Sequence, residues 1–274
     1  MSLPSGIIIF VLAIISLIYL FLTSPRLSGS ADMELLTCNY AHRGLHGDRI
    51  PENSLRAFEY AARRGYGIEL DIRLTKDEKI VVFHDDNLSR MCGISKKVNE
   101  LTLAELRTLR LSGTNEVIPT LAEVLRLIDG RVPLLIEVKG SRPNDRLCRG
   151  ASEMLDKYRG AFCIEAFSPL VLAWFKRYRP LYARGQLVNS AKGYKSHANA
   201  FMSFMLSNML LNFISRPDFL AMKFKKRNNI GLILASKAFH VPVFIWTIKT
   251  PEDYMTCNKL GYYTIFEKIL PKEK

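Results

Sequence analysis

The stretch ELDIRLTKDEKIVVFHDD, Glu69 to Asp86, decides the fold. It contains two apolar runs that are separated only by residues 75–78. A parallel crossover needs about a dozen residues or more, so the two runs are predicted to pair as an antiparallel hairpin. The hairpin turns His84, at the end of the second run, back towards Glu69 and Asp71 on the first.

The rest of the chain alternates short β-rich runs with helical patterns, which is typical of a parallel α/β fold. The predicted strands are Leu36–Ala41, Gly67–Leu74, Lys79–His84, Pro133–Lys139, Phe162–Phe167, Ala183–Val188, Phe219–Lys223, Pro242–Ile248 and Tyr263–Glu267. Without the hairpin's return strand, eight parallel strands remain. They predict a (β/α)8 TIM barrel with a hairpin excursion after the second strand. Helices are predicted at Leu55–Arg64, capped by Asn53-Ser54, and at Leu121–Ile128, where Thr120 and Glu123 form a capping box.

The amino-terminal segment Gly6–Leu22 is apolar, and no charged residue precedes Arg26. It is long enough for one membrane-spanning helix ahead of the barrel. A cleaved secretory signal is the alternative, because small residues occupy positions 28–31, but no Lys or Arg precedes the run and it exceeds an ordinary signal core. We expect an anchor and linker at residues 1–31 and a barrel domain at residues 32–274. Arg26 after the span predicts a single-pass membrane protein with this domain in the cytoplasm.

The net charge of +13, from 39 Lys and Arg against 26 Asp and Glu, suggests anionic partners. The sequence shows no aromatic–basic interleaving or finger-like motif, so a nucleic acid partner is not expected. A phosphate-bearing substrate or an anionic membrane surface fits better. The basic run at residues 223–227 fits either a solvated surface or membrane contact. Residues 198–214 are apolar at helical spacing, and core packing is expected for them rather than membrane contact. The oligomeric state stays open.

Acidic side chains lie at the ends of two predicted strands. Glu69 and Asp71 share one face of their strand because residues two apart point the same way, and Glu137 and Lys139 repeat the pattern in LLIEVKG. Active sites of barrels lie at the carboxyl ends of the strands. Three carboxylates form a hard oxygen site that suits Mg²⁺ or Ca²⁺ rather than zinc. A structural cluster of ion pairs with nearby Arg and Lys side chains is the alternative.

Two histidines end strands at the same predicted rim, His42 and His84. With an ordinary pKa of about 6.5, two imidazoles can supply one base and one acid near neutral pH, although the sequence does not assign the two roles. Arg43 and Lys139 could hold the non-bridging oxygens of a phosphate. The other histidines are interpreted as structural: His46, His197 and His240.

An ordered series of motifs resembles the glycerophosphodiester phosphodiesterase family over about Tyr40 to Glu267. The motifs are AHRG (41–44), PENS (51–54), ELD (69–71), VVFHDDNLSR (81–90), IPTLAEVL (118–125), IEVKG (136–140), FSP (167–169) and IWTI (245–248). The resemblance implies a TIM barrel and metal-dependent hydrolysis of glycerophosphodiesters to glycerol 3-phosphate and an alcohol. By position, the resemblance implies that the metal ligands are Glu69, Asp71 and Glu137 and that the acid/base pair is His42 and His84. It also implies phosphate contacts from Arg43 and Lys139 and an aromatic pocket wall at Trp246.

The last predicted strand departs from the family pattern, since Gly261 leads into YYTIFE where the family has Asp-Gly and a run of Ile. This departure puts the substrate in doubt more than the reaction, and the short segment between His84 and Ile118 predicts a site open enough for a lipid. Phospholipase D-type cleavage of lysophospholipids is therefore the alternative activity. A non-catalytic, membrane-tethered binding module is a further alternative. The nucleophile is either water or the substrate's 2-hydroxyl, the latter giving a cyclic phosphate first.

Overall fold

Eight parallel strands close into a barrel in the computed structural model, which describes residues 5–26, 33–194 and 198–271. The strands are β1 Tyr40–Ala41, β2 Gly67–Leu74, β3 Ile80–Val82, β4 Leu134–Val138, β5 Phe162–Ala166, β6 Arg184–Val188, β7 Phe219–Lys223, β8 Val243–Ile248 and β9 Tyr263–Phe266. β1 pairs in parallel with both β2 and β9, which closes the barrel. β3 pairs antiparallel with β2 outside the closed ring, so the predicted hairpin and TIM barrel are confirmed.

Helices follow most of the strands, as the alternating pattern predicts. They are α1 Ser5–Thr23, α2 Met33–Leu36, α3 Leu55–Arg63, α4 Ser89–Cys92, α5 Leu103–Arg107, α6 Leu121–Ile128, α7 Asp145–Leu155, α8 Pro169–Tyr178, α9 Ala191–Tyr194, α10 Ala200–Ser207, α11 Asn212–Ser215, α12 Ile230–Ala238 and α13 Pro251–Lys259. The Ser54 side chain caps α3 by accepting from the Ala57 amide, and Thr120 and Glu123 form the predicted capping box on α6. Within the described residues, α1 is the one helix that is long and apolar enough to cross a membrane.

The first strand is shorter than the predicted Leu36–Ala41, because Leu36 is the last residue of α2 and β1 begins only at Tyr40. Leu36 is only 2% exposed and belongs to the apolar cluster inside the barrel. The Tyr40 hydroxyl donates to the Leu36 carbonyl at 2.8 Å. The helical turn thus packs an apolar side chain at the amino end of the barrel, where a straight strand would leave the interior open.

The barrel interior has an apolar layer below and a polar layer above. The apolar side chains inside the barrel include Tyr40, Leu135, Cys163, Phe219, Ala221, Phe244 and Ile265. Closer to the carboxyl ends, Asp71 of β2 is in register with Glu137 of β4, which is in register with Glu165 of β5. Because neighbouring parallel strands place matched residues side by side, the three carboxyl groups lie on adjacent strands at one end of the barrel.

Three of the sequence predictions fall partly or wholly outside the described residues: the linker beyond Arg26, the boundary between residues 31 and 32, and His197.

The prediction that residues 198–214 pack in the core is wrong for α10. Phe201 is 70% exposed and Phe204 is 55% exposed, whereas Ser203 and Ser207 of the same helix are buried. Hydrophobicity alone did not reveal which face of this helix points inwards.

Candidate active site

Three carboxylates meet near the carboxyl end of β4, where Glu137 lies beside Asp71 of β2, with Glu69 two residues earlier on β2. One carboxylate oxygen from each of Glu69, Asp71 and Glu137 lies within 4.8 Å of the others. All three side chains are buried, with Asp71 fully so. The three side chains therefore lie together, as the sequence predicts. The distances are compatible with a single cation bound between the three groups.

Two basic residues that the sequence singled out lie against this cluster. The Lys139 ammonium is 2.7 Å from Asp71 Oδ1 and 2.7 Å from Glu137 Oε1. The Arg43 amide donates to Glu69 Oε2 at 2.8 Å, while its guanidinium pairs with Glu52 at 2.6 Å and lies 3.5 Å from Asp71. Both cations thus offset part of the acidic charge.

The carboxylates respond unequally to this environment. Burial raises the pKa of Glu69 well above its usual range, and the charge of Asp71 adds to the effect. Burial also raises the pKa of Glu137, to about 6, against the opposing effect of Lys139. For Asp71 burial acts in the same direction, but Lys139 and its other cationic neighbours prevail and hold the pKa well below its usual range. The nearby cations therefore do not fully balance the negative charge of the buried carboxylates.

A fourth buried carboxylate, Glu165, lies beside these three and was missed from the sequence. It is 1% exposed, and its Oε2 has no hydrogen-bond partner among the described residues. Burial raises its pKa well above the usual range, and the charges of Glu69 and Glu137 add to this. Four carboxylates thus share this part of the barrel with the two cations Arg43 and Lys139. A divalent cation would balance the excess, so the donor set fits a metal that prefers oxygen ligands.

Two histidines line the same cleft, and each bonds a carboxylate through Nδ1. His42 follows β1, and its Nδ1 is 2.7 Å from Glu267 Oε2. His84 follows β3, and its Nδ1 is 2.7 Å from Asp85 Oδ1. A carboxylate that accepts the Nδ1 proton fixes the ring orientation and leaves Nε2 to exchange a proton with a substrate. The sequence had indicated both imidazoles but neither carboxylate partner.

Burial lowers the pKa of both imidazoles. For His42 the hydrogen bond that Nδ1 donates to Glu267 acts in the opposite direction and raises the pKa in part. Burial also lowers the pKa of His84, to about 4, and the positive charge of Lys139 adds to this effect while Asp71 opposes it. A neutral imidazole with its Nδ1 proton held by a carboxylate can act as a general base through Nε2.

The cleft between these groups is open to solvent. Its lining residues are His42, Arg43, Glu69, His84, Glu137, Glu165, Phe167, Leu187, Trp246, Thr247 and Ile265. Trp246 forms one wall: its ring meets Phe167 edge to face at 5.6 Å, and its indole Nε1 donates to the Ala221 carbonyl at 2.9 Å. The Lys223 ammonium lies 5.7 Å from the centre of the Trp246 ring. The cleft thus combines an acidic side with an aromatic one.

Other polar residues support the site, and most gave little signal in the sequence. Asn53, in the PENS motif before α3, donates through Nδ2 to Asp71 Oδ2 at 2.8 Å. His46, interpreted from the sequence as structural, lies 3.6 Å from Glu267, next to His42. Glu267 and Glu165 could have been suspected, since each is a lone acid in an otherwise apolar strand. His240 is an exposed residue outside the cleft lining.

Comparisons with known proteins agree on one family. The model of the glycerophosphoryl diester phosphodiesterase family matches residues 42–267. A glycerophosphodiester phosphodiesterase from Caldanaerobacter subterraneus is 40% identical over 81% of this chain and 89% of its own length. The human lysophospholipase D GDPD1 is 32% identical over 45% of this chain and 42% of its own length.

Solved structures share the fold. A phosphodiesterase from Oleispira antarctica, solved in complex with the product sn-glycerol-3-phosphate, superposes with a TM-score of 0.68 at 24% identity, over 84% of this chain and 92% of its own. Among the curated relatives, several matches span only 37–45% of the relative's length.

Proposed function

The chain belongs to the glycerophosphoryl diester phosphodiesterase family, and from that membership we propose that it hydrolyses glycerophosphodiesters to glycerol 3-phosphate and an alcohol. The observation that carries this function is the meeting of three buried carboxylates and two carboxylate-bonded imidazoles in one cleft. Such a set has the parts that phosphodiester cleavage needs: an oxygen-lined cation site and two groups that move protons. The enzyme domain is residues 32–274.

Glu69, Asp71 and Glu137 would hold a divalent cation, either Mg²⁺ or Ca²⁺. The excess of buried acidic charge and the unpartnered oxygen of Glu165 support this role for the cluster. When bound there, the cation neutralises charge that develops on the phosphate and lowers the pKa of a bound hydroxyl.

His42 and His84 are the acid/base pair. The Nδ1 bonds to Glu267 and Asp85 favour the tautomer in which Nε2 is the atom that takes or gives a proton. One ring removes a proton from the attacking hydroxyl, and the other protonates the leaving oxygen. The attacking hydroxyl belongs to water or to the glycerol 2-position, and the second route passes through a cyclic phosphate.

Arg43 and Lys139 supply positive charge for the non-bridging phosphate oxygens. Arg43 lines the cleft, and Lys139 lies against the carboxylates of Asp71 and Glu137. Both are paired to carboxylates, so their charge is fixed in place before a substrate enters. Trp246 offers its face to the apolar part of the alcohol, and its indole bond to Ala221 holds the ring in that orientation. Lys223 beside this ring adds a further cation at the aromatic wall.

The activity is tested by measuring glycerol 3-phosphate released from glycerophosphocholine by the purified full chain in detergent, with added Mg²⁺ or Ca²⁺. His42→Ala and His84→Ala should each lower kcat by about 10²- to 10⁴-fold, the usual share of general acid/base catalysis. His240→Asn is the matched control, because this exposed His adopts a left-handed backbone conformation that Asn tolerates. Unchanged kcat in both alanine variants, or full activity after chelation with EDTA and dialysis, would contradict the assignment. Absence of any hydrolysis would favour a binding module.

Lysophospholipase D activity is the second candidate, with a lysophospholipid as substrate. It is favoured by the similarity to a human lysophospholipase D and by the apolar helix α1, which we assign as a single membrane span with the barrel domain in the cytoplasm. The packing of the end of α1 on the barrel, through the Phe21 and Phe213 rings at 5.7 Å, supports a retained helix over a removed signal. A side-by-side assay of glycerophosphocholine and lysophosphatidylcholine separates the two substrate classes.

A further inference from the structure

The helix α1 leaves the barrel at a defined place. Its residues up to Ile18 are exposed, and most of the chain from Tyr19 to Arg26 packs on the barrel, although Phe21 is 56% exposed. The Arg216 guanidinium donates to the carbonyl oxygens of Phe21 and Ser24 at 3.2 and 3.3 Å and also covers the Phe21 ring. The orientation of α1 relative to the barrel is therefore held by specific contacts at its carboxyl end.

These contacts give α1 a direction. Arg26 lies at the amino ends of the strands, since its amide donates to Pro217 and its side chain is 3.6 Å from Asp218, both just before β7. The Tyr19 side chain reaches the opposite rim: its hydroxyl is 2.8 Å from where a side chain on Gly231 would begin, at the start of α12 after β7. From Arg26 back towards residue 5, the chain thus runs from the amino ends of the strands to the mouth of the barrel at their carboxyl ends. Residues 5–18 project beyond this mouth.

The helix α10 lies at the same rim, with its polar side buried and its apolar side exposed. In α10 the polar side chains Ser203 and Ser207 are 2% exposed, while Phe201 and Phe204 are 70% and 55% exposed. This arrangement is the reverse of a helix that packs on a soluble core, where the apolar stripe faces inwards. The segment between β6 and β7, which contains α10, leaves the barrel at the carboxyl end of β6, so the exposed rings lie on the mouth side. Ile230, at the start of α12, adds a further exposed apolar side chain.

Length supplies an independent argument. Residues 5–18 of α1 cover about 21 Å at 1.5 Å per residue, whereas a bilayer's hydrocarbon core is about 30 Å thick. The remaining roughly 9 Å exceeds one helical turn of about 5.4 Å, so a span that begins at Ser5 includes the residues of α1 that pack against the barrel, Tyr19 to Thr23. Interfacial helices bury their apolar faces to about 5–10 Å, so the rim around α10 and Ile230 lies at the depth where apolar side chains are stable.

Basic residues complete the surface. Lys225, Lys226 and Arg227 lie in the short segment between β7 and α12, and Lys225 is exposed. Positive charge next to an apolar rim matches the phosphate layer of an anionic bilayer. We propose that the mouth of the barrel faces an anionic phospholipid bilayer, with the exposed side of α10 and Ile230 inserted in its interfacial layer. This orientation rests on the proposed role of α1 as a membrane span.

The orientation has a consequence for the substrate. A bilayer across the mouth brings lipid headgroups to the cleft, with the aromatic wall at Trp246 and Lys223 on the side of α12. A substrate with one acyl chain would reach the carboxylates with its phosphate while the chain stays in the membrane. Water-soluble diesters would have to enter around the rim instead.

The test uses tryptophan fluorescence of the full chain reconstituted into vesicles of phosphatidylcholine and phosphatidylserine. Phe201→Trp places a probe at the mouth, and Leu181→Trp is the matched control, since Leu181 is 76% exposed just before β6 at the opposite rim. The signal of the parent chain, with its own Trp174 and Trp246, is subtracted. Lipids brominated near the headgroup in both leaflets should remove about half of the Phe201→Trp emission, as expected for interfacial depth, and little of the control. Equal quenching, stronger quenching of the control, or none in either variant overturns the proposal.

A second measurement separates this surface from the catalytic proposal. Phe201→Glu should lower turnover of lysophosphatidylcholine in the same vesicles by about tenfold and leave glycerophosphocholine turnover unchanged, because a buried interfacial charge is unfavourable. An equal loss on both substrates overturns the role of this surface. If the parent chain hydrolyses neither substrate, the proposed function fails while the quenching result still decides the orientation.

Discussion

Removal of the Glu267 charge should slow the reaction by an amount that the hydrogen bonds of this carboxylate allow us to estimate. Its Oε2 is 2.7 Å from His42 Nδ1, and its Oε1 is 2.5 Å from the Lys249 ammonium. The hydrogen bond from His42 holds the pKa of Glu267 well below its usual range, so the group is ionised throughout the working pH range. We expect Glu267→Gln to keep the fold and lower kcat, with little change in KM.

The magnitude follows from what each variant retains. A hydrogen bond to a charged group contributes about 1.5–3 kcal/mol and a neutral one about 0.5–1.5 kcal/mol, so Gln, whose oxygen can still accept from Nδ1, loses about 1–1.5 kcal/mol. At 1.36 kcal/mol per factor of ten, this loss is about a 5- to 12-fold fall in kcat. Glu267→Ala loses the whole bond, and its kcat should fall by about 10- to 150-fold.

The assay is the pH dependence of glycerophosphocholine hydrolysis, with Lys249→Met as the control. Lys249 is 53% exposed and holds the other oxygen, so its loss should change kcat by less than about threefold. Because the bond to Glu267 raises the pKa of His42, Glu267→Gln must lower that pKa. The acid limb of the profile moves to lower pH if His42 is the base, and the alkaline limb does so if it is the acid. A kcat within twofold of the parent in both Glu267 variants would refute the reasoning.

Three further predictions concern the cation site and the barrel core. Because burial raises the pKa of Glu137 to about 6, binding of Ca²⁺ must displace its proton in acid, and calorimetry should show affinity falling about tenfold per pH unit below 6. Glu165→Gln should keep or raise the Tm of the chain in EDTA, since a repelling carboxyl is removed, and should shrink the rise in Tm that Ca²⁺ produces; an unchanged rise would exclude Glu165 from the site. Gly185→Ala should destabilise by about 1–3 kcal/mol in urea unfolding, because its new carbon would collide with the Phe219 ring. Gly47→Ala is the control: a carbon added there has nothing within 4 Å, so the change should stay within about 0.5 kcal/mol.

The barrel could be predicted because its strands are local patterns. Alternating faces in ELDIRL and LLIEVKG, and the short turn before Ile80, depend only on neighbouring residues, and the structure reproduces them. The same reasoning brought Glu69, Asp71 and Glu137 together, since residues at the carboxyl ends of parallel strands meet at one rim. Local patterning could not indicate that residues 33–36 turn into a helix, because that helix depends on packing inside the closed barrel.

The residues missed from the sequence were those whose partners lie far along the chain. Glu165 joins the acidic cluster through its register with Glu137, and Glu267 meets His42 only because β9 pairs with β1. A single acid in an apolar strand does not reveal which strand will be its neighbour. For α10 a signal was available, since Ser203 and Ser207 are four residues apart and mark one polar face. Whether that face is buried depends on the surroundings of the helix.

Closure of the barrel and placement of the catalytic groups use the same few atoms. The His42 amide donates to the Phe266 carbonyl at 2.8 Å, and the next amide, that of Arg43, donates to the Glu69 carboxylate at 2.8 Å. The backbone that joins the first and last strands therefore also holds an acid of the cluster, and it places the imidazole beside Glu267. Any loosening of the contact between the first and last strands would move the His42 imidazole away from the Glu267 carboxylate. It would also free the Glu69 carboxylate from the Arg43 amide. Since a shift of about 1 Å in a catalytic group can lower the rate by about a hundredfold, activity should fail before the barrel unfolds.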